Sequence, residues 1–184
     1  SLSYEMSGDD TDARGYSFMY RRPWLDKKET AGTVRLYNRT YEYDDYNSNG
    51  DHLESFMRKY SGEEFTLSRP VSEYSTNFVT LKNRKDKYVK HTENGTAGNR
   101  STNIPWLHKN FGTTRSIAIE HVTDTRDNVY EPTTGSRASL SAEFAGFGGD
   151  FSFQKYMISD TQYFKVGRSQ VFAVRGQYGL GNGS

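Results

Sequence analysis

One feature constrains this chain more than any other: polarity alternates with period two along most of its length. In SQVFAVRGQYGLG (169–181), Phe172, Val174, Tyr178 and Leu180 share one face, and Arg175 and Gln177 share the other. SRASLSAEFAG (136–146) sets Ala138, Leu140, Ala142 and Phe144 against Arg137, Ser139, Ser141 and Glu143, and GYSFMYR sets Tyr16, Phe18 and Tyr20 against Ser17, Met19 and Arg21. Side chains that alternate in this way belong to strands with one apolar and one polar face. Strand segments are predicted at about 1–7, 14–25, 30–46, 55–70, 75–91, 113–126, 136–146, 153–165 and 169–181. The segment at 113–126 alternates least regularly. No helix of useful length, internal repeat or low-complexity linker is predicted, so residues 1–184 read as one all-β domain.

The connections between these segments alternate in length. Short turns follow Trp24-Leu25, Ser72-Glu73-Tyr74, VYEPTTG and VGRS, while longer polar stretches occupy about 44–54 and 92–112, with a modest FGGD loop. Short turns gathered at one end and longer loops at the other are the pattern of an antiparallel up-and-down transmembrane β-barrel, with about eight strands between residues 14 and 181 and 1–7 as an extra segment. Soluble up-and-down barrels share the strand pattern and seldom show the one-ended bias. Composition bears on the same choice. Only 33% of residues are hydrophobic, below the roughly 45–50% usual for a soluble domain, yet 15% are aromatic. A polar lumen and aromatic girdles at the membrane interfaces account for both. Phe172, Val174, Tyr178, Leu140 and Phe144 are therefore expected to face lipid, with Arg137, Glu143, Arg175 and Gln177 inward.

A net charge of +1 gives no argument for nucleic acid, and the absence of cysteine removes disulfides and thiolate metal sites. The chain opens on SLSYEMS without a signal peptide and is expected to be a mature or trimmed form. Asp45-Tyr-Asn47-Ser-Asn49-Gly50 copies the start of a calcium loop, but Phe56 stands where the bidentate acid is required. The four histidines lack ligand spacing, so neither metal nor cofactor is expected. No strained G-x-S-x-G turn is present, and His121 and Asp124 fall on opposite faces of a strand, so no enzyme activity is expected. The three Asn-x-Ser/Thr triplets at Asn38, Asn94 and Asn99 carry no weight in so polar a chain. The run Lys82-Asn-Arg84-Lys85-Asp-Lys87 is expected at the outer end of a long strand, in water or against anionic lipopolysaccharide.

The sharpest local signal is DTRDNVYEPTTGSR (124–137). Proline cannot donate to a ladder and glycine supplies positive φ, so EPTTG is a register-fixing hairpin turn. Asp124 and Arg126 are expected to share a face and to pair across the lumen with Lys or Glu of neighbouring strands. This stretch resembles the D-x-R-D-x-x-x-x-P-T-x-G motif of the BamA-type outer-membrane assembly factors, the bacterial surface antigen family, through Asp124, Arg126, Asp127, Pro132, Thr133 and Gly135. The strand SRASLSAEFAG, a GGD-type loop, a strand ending in Tyr163-Phe164 and a strand ending Gly179-Leu-Gly181-Asn-Gly183 follow in the family's order. Upstream, PWL (23–25) and LSRPVSEYS (67–75) resemble its periplasmic turns.

The resemblance implies about half of a sixteen-stranded barrel without its POTRA domains, located in a bacterial outer membrane. It implies a role in folding and inserting other barrel proteins, with client barrels and outer-membrane lipid as partners. Arg14-Gly15-Tyr16 spells a motif that in the family lies beyond this region, and is read as the start of a strand. The alternatives are a small structural or passive-pore barrel, and a soluble lipocalin-like ligand-binding barrel. Tyr16, Phe18 and Tyr20 on one strand and Phe172, Val174 and Tyr178 on another are the candidates for the barrel seam. Closure of that seam within one chain is expected, with a homodimer through the same strands as the alternative.

Overall fold

The computed structural model describes residues 14–183 in full and 2–6 as backbone. Nine strands follow one another: β1 (Leu2–Met6), β2 (Arg14–Arg22), β3 (Ala31–Tyr46), β4 (His52–Pro70), β5 (Ser75–Asn94), β6 (Thr113–Asp124), β7 (Gly135–Ala145), β8 (Phe153–Val166) and β9 (Gln170–Gly183). They form a single sheet in sequence order, and every neighbouring pair is antiparallel. The connections 23–30, 71–74, 125–134 and 167–169 lie at one end, and 47–51, 95–112 and 146–152 lie at the other. The EPTTG turn and the long loop before β6 are at opposite ends, as expected, but the lengths do not alternate strictly: β3 and β4 extend into the polar stretch expected at 44–54 and leave only 47–51, which is shorter than 125–134.

The eight strands expected between residues 14 and 181 are all present, and the amino-terminal segment adds a ninth. Residues Leu2 to Met6 pair with Phe18 to Arg14, which makes β2 an interior strand. This corrects the seam assignment in part: Tyr16 and Phe18 do not lie on an edge, because Leu2–Met6 supply another ladder beside them, while Tyr20 lies past the end of that ladder. Phe172, Val174 and Tyr178 do lie on an edge strand. The expected closure within one chain is also corrected. Among the described residues β1 and β9 form no pair, and the sheet stays open between them.

A third correction concerns helix. The connection between β5 and β6 holds a 3₁₀ turn (Arg100–Thr102) and a seven-residue helix, α1 (Ile104–Asn110). Asn103 starts it, its Oδ1 accepting from Trp106 N at 3.1 Å. Pro105 stands in the first turn, where a missing N–H costs nothing. Two turns of helix are too short to show a 3.6-residue period, which is why the sequence pattern misses them.

Candidate functional site

The register shows how the alternation becomes a wall. Across the sheet, directly paired residues line up in rows on one face: Leu67, Val79, Ile119, Ala142, Tyr156 and Leu180 form one such row. Tyr20, Val34, Phe65, Leu81, Ile117 and Phe144 form the next. These apolar side chains are largely exposed; Leu140 and Phe172 are each 59% exposed and Tyr178 63%. Such a belt has no partner within the sheet, and a continuous exposed apolar surface marks a membrane or protein contact. One interruption stands out. Asp160 and Gln162 of β8 fall on this face, paired with Ala138 and Val174, and bond to each other at 2.8 Å.

The other face is polar and extensively bonded. Glu143 accepts from Lys82 Nζ at 3.2 Å and from Ser116 Oγ at 2.6 Å, linking β5, β6 and β7. Thr66 meets Thr80 at 2.9 Å, and Ser139 meets Ser159 at 2.9 Å. Arg58 and Arg84 converge on the buried Asp86, at 3.1 and 2.8 Å. Arg137, Glu143, Arg175 and Gln177 all occupy this face, as expected from the alternation. The run at 82–87 is therefore divided: Lys82, Arg84 and Asp86 join the polar network, and Lys85 and Lys87 point to the other side. His121 likewise lies on the apolar face, where its Nδ1 contacts Asn77 Oδ1 at 2.6 Å.

A close approach holds the long strands β3 and β4 in register. Tyr37 stands opposite Gly62 and is 8% exposed. A Cβ at residue 62 would lie 2.7 Å from the Tyr37 hydroxyl and 2.5 Å from Asn83 O, so only glycine lets the ring cross here. Nearer the loop end, α1 packs on the polar face. Trp106 and Phe111 meet Phe56 and Tyr88, with ring centres 5.6 to 6.2 Å apart among the edge-on pairs. Arg100 lies 4.9 Å over the Trp106 ring, bonds Asp45 at 2.8 Å and approaches the fully buried Glu54 at 3.7 Å.

The turn between β6 and β7 gathers the six motif residues within one hairpin. Asp127 is its hub: Oδ1 accepts from the backbone N–H of Asn128, Thr133 and Thr134 at 3.0, 2.8 and 3.1 Å, and Oδ2 accepts from the Thr133 hydroxyl. Those bonds, the Thr133 hydroxyl foremost, hold the Asp127 carboxyl far below the ordinary carboxylate range. The Asp124–Arg126 expectation is corrected here. The two pair with each other, Arg126 Nε and Nη2 donating to Asp124 at 2.8 and 2.6 Å, while Nη1 donates to Val129 O. Residues two apart at a strand end satisfy one another before either can reach across a lumen. Gly135 closes the hairpin with φ +93°.

The turn between β2 and β3 is built similarly around Asp26, which accepts from Lys28 N, Thr30 N, Thr30 Oγ1 and Arg69 Nη2. The Thr30 backbone and hydroxyl bonds come first among the influences holding its carboxyl down at about 2. Sequence reading missed Asp26 and the α1 cluster. Asp26 carried a signal, an acid two and four residues before Lys28 and Thr30, which is the spacing of an aspartate-stabilised turn.

An antiparallel up-and-down sheet with a polar face, an apolar outer belt and short turns at one end is the wall of a transmembrane β-barrel. An Omp85 superfamily domain model matches residues 1–184, and the chain belongs to that superfamily. Among solved structures, it is similar to BamA from Haemophilus ducreyi lacking POTRA domains 1–3, with a TM-score of 0.68 and 19% identity. That match covers 94% of this chain and 34% of the other, so the chain spans about a third of that relative's length. No curated protein matches the sequence.

Proposed function

We propose that this chain forms part of the barrel wall of an outer-membrane assembly factor, one that folds and inserts other barrel proteins. The observation that carries the reading is the sheet itself. Its apolar belt faces away from an extensively bonded polar network, and its edge strand β9 has backbone groups open to a further strand. Open edges cannot persist in hydrocarbon, where each unpaired peptide group costs several kcal/mol. Completion by further strands, of the same polypeptide or of a second copy, follows from that cost. Superfamily membership supports the bacterial outer membrane as the location. The lipocalin-like alternative gains nothing from the structure, since it would bury the apolar rows and expose the polar ones.

The test uses the full-length protein reconstituted into liposomes, with a urea-denatured client barrel added. Faster appearance of the client's folded, heat-modifiable form than in empty liposomes is expected. An unchanged rate in liposomes that hold correctly folded protein favours a passive barrel instead.

A further inference from the structure

Loop-ward of the apolar belt, the outward face changes from apolar to basic. Arg14, Thr40, Lys59 and Lys87 form one directly paired row across β2, β3, β4 and β5, and Lys85 lies in the adjacent row opposite Ser61. Lys59 and Lys87 face each other across the ladder, an arrangement that destabilises a sheet unless an anion lies between them. Arg14, Lys59, Lys85 and Lys87 make no ion pair among the described residues. Among the described residues, two acids share this part of the face. Glu63 is engaged by Asn83 Nδ2 at 2.9 Å, and Glu42 stands beyond the row, opposite Met57. The cations therefore outnumber the acids, and an open cleft of about 510 Å³ bounded by Arg14, Tyr16, Asn38, Thr40 and Lys59 runs beside them.

The height of this patch identifies what it meets. On β5 the unbroken apolar belt ends at Leu81, Lys85 and Lys87 follow it four and six residues later, and the half-exposed Val89 stands beyond them beside the cleft. At about 3.3 Å per residue that is about 13 and 20 Å along the strand. A strand tilt of about 40° reduces these to roughly 10 and 15 Å along the membrane normal. The lysines then stand outside the hydrocarbon, at and beyond its headgroup layer, on the side of the longest loop. Resting on the membrane orientation proposed above, the geometry points to a binding site for the phosphorylated headgroup of an outer-leaflet glycolipid, lipopolysaccharide, formed by Lys59, Lys85 and Lys87 with Arg14 at its flank. A phosphate between Lys59 and Lys87 relieves their mutual repulsion, and a second phosphate on the same sugar can reach Lys85 or Arg14 in the neighbouring positions.

The test measures binding of fluorescent bisphosphoryl lipid A to the detergent-solubilised full-length protein, with the K59Q/K85Q/K87Q triple variant beside it. K27Q/K28Q, which removes charge from the opposite end, is the control. Each cation near an anionic lipid surface contributes about fivefold, so the triple change is expected to weaken binding on the order of a hundredfold. The control is expected to bind as wild type does, and inorganic phosphate to compete poorly. Heat-modifiable mobility on gels reports folding, and K85Q/K87Q, which alters only exposed side chains, serves if the triple variant does not fold. Equal binding by the folded lysine variants, equal loss in the control, or competition by inorganic phosphate as effective as that by lipid A overturns the site. Failure of the wild-type protein to fold as a detergent-dependent barrel would instead remove the membrane reading beneath it.

Discussion

Replacing Gly135 by alanine separates two reasons for a glycine that are usually confounded. Its φ of +93° lies in the left-handed half of the map, where a Cβ costs about 1–2 kcal/mol through local sterics. At this position the Cβ would also lie 2.2 Å from Thr125 O and 2.9 Å from Arg126 Cα, both backbone atoms that no rotamer change can move. The hairpin must then open at 125–136, weakening the Thr125 N–Ser136 O bond (2.8 Å) and the Ser136 N–Thr125 Oγ1 bond (3.0 Å), together about 2 kcal/mol. The total loss expected is about 3–4 kcal/mol. Gly50 is the matched comparison, with φ +85° and nothing within 4 Å of an added Cβ, so G50A carries only the torsional cost of about 1–2 kcal/mol. Urea unfolding of the folded full-length protein in lipid vesicles measures both variants. Equal losses within about 0.5 kcal/mol would refute the claim that backbone contact, beyond handedness, fixes this turn.

Spin labels at 172 and 174 are expected to be reached by lipid-soluble quenchers and labels at 175 and 177 to be shielded; the reverse pattern would invert the assignment of faces. Asp160→Leu combined with Gln162→Leu is expected to stabilise the barrel by about 1–2 kcal/mol in vesicle unfolding, because one buried carboxylate oxygen there lacks a hydrogen-bond partner on the apolar face and the double change leaves neither member of the pair stranded; a loss of stability would show that the pair is used. The Asp26 carboxyl is depressed in the folded state, so its stabilising contribution is complete above about pH 4 and is lost as pH falls through about 2. Amide exchange in the 23–30 turn is expected to quicken across that window in wild type and to be flat there in D26N. Lys82→Met leaves Glu143 with only Ser116 on the polar face and is expected to cost about 1–3 kcal/mol, largely restored in the K82M/E143L double variant.

The strands were legible because their signal is local and repeated. Leu140 and Phe144, or Phe172 and Val174, reveal a face without knowledge of any partner, and the observed ends fall close to the expected ones. What was not legible depended on contacts distant in sequence or too short to be periodic. The pairing of Leu2–Met6 with β2 follows from the ladder, which no single segment announces. The α1 helix is held by Phe56 and Tyr88, about fifty and twenty residues before it in the chain. Within the turn, the composition of the motif showed that Asp124, Arg126 and Asp127 belong together. It did not show which acid each cation would choose, because the choice is made by geometry at the strand end.

The α1 connection bears on permeability. Folded onto the polar face and held there by stacked and edge-on rings and by the Arg100–Asp45 pair, it occupies the space beneath the loops that a diffusing solute would need. In the barrel proposed above, a wall lined in this way would carry part of its own plug, and the ring contacts and the Arg100–Asp45 pair would have to break before a solute passed on this side.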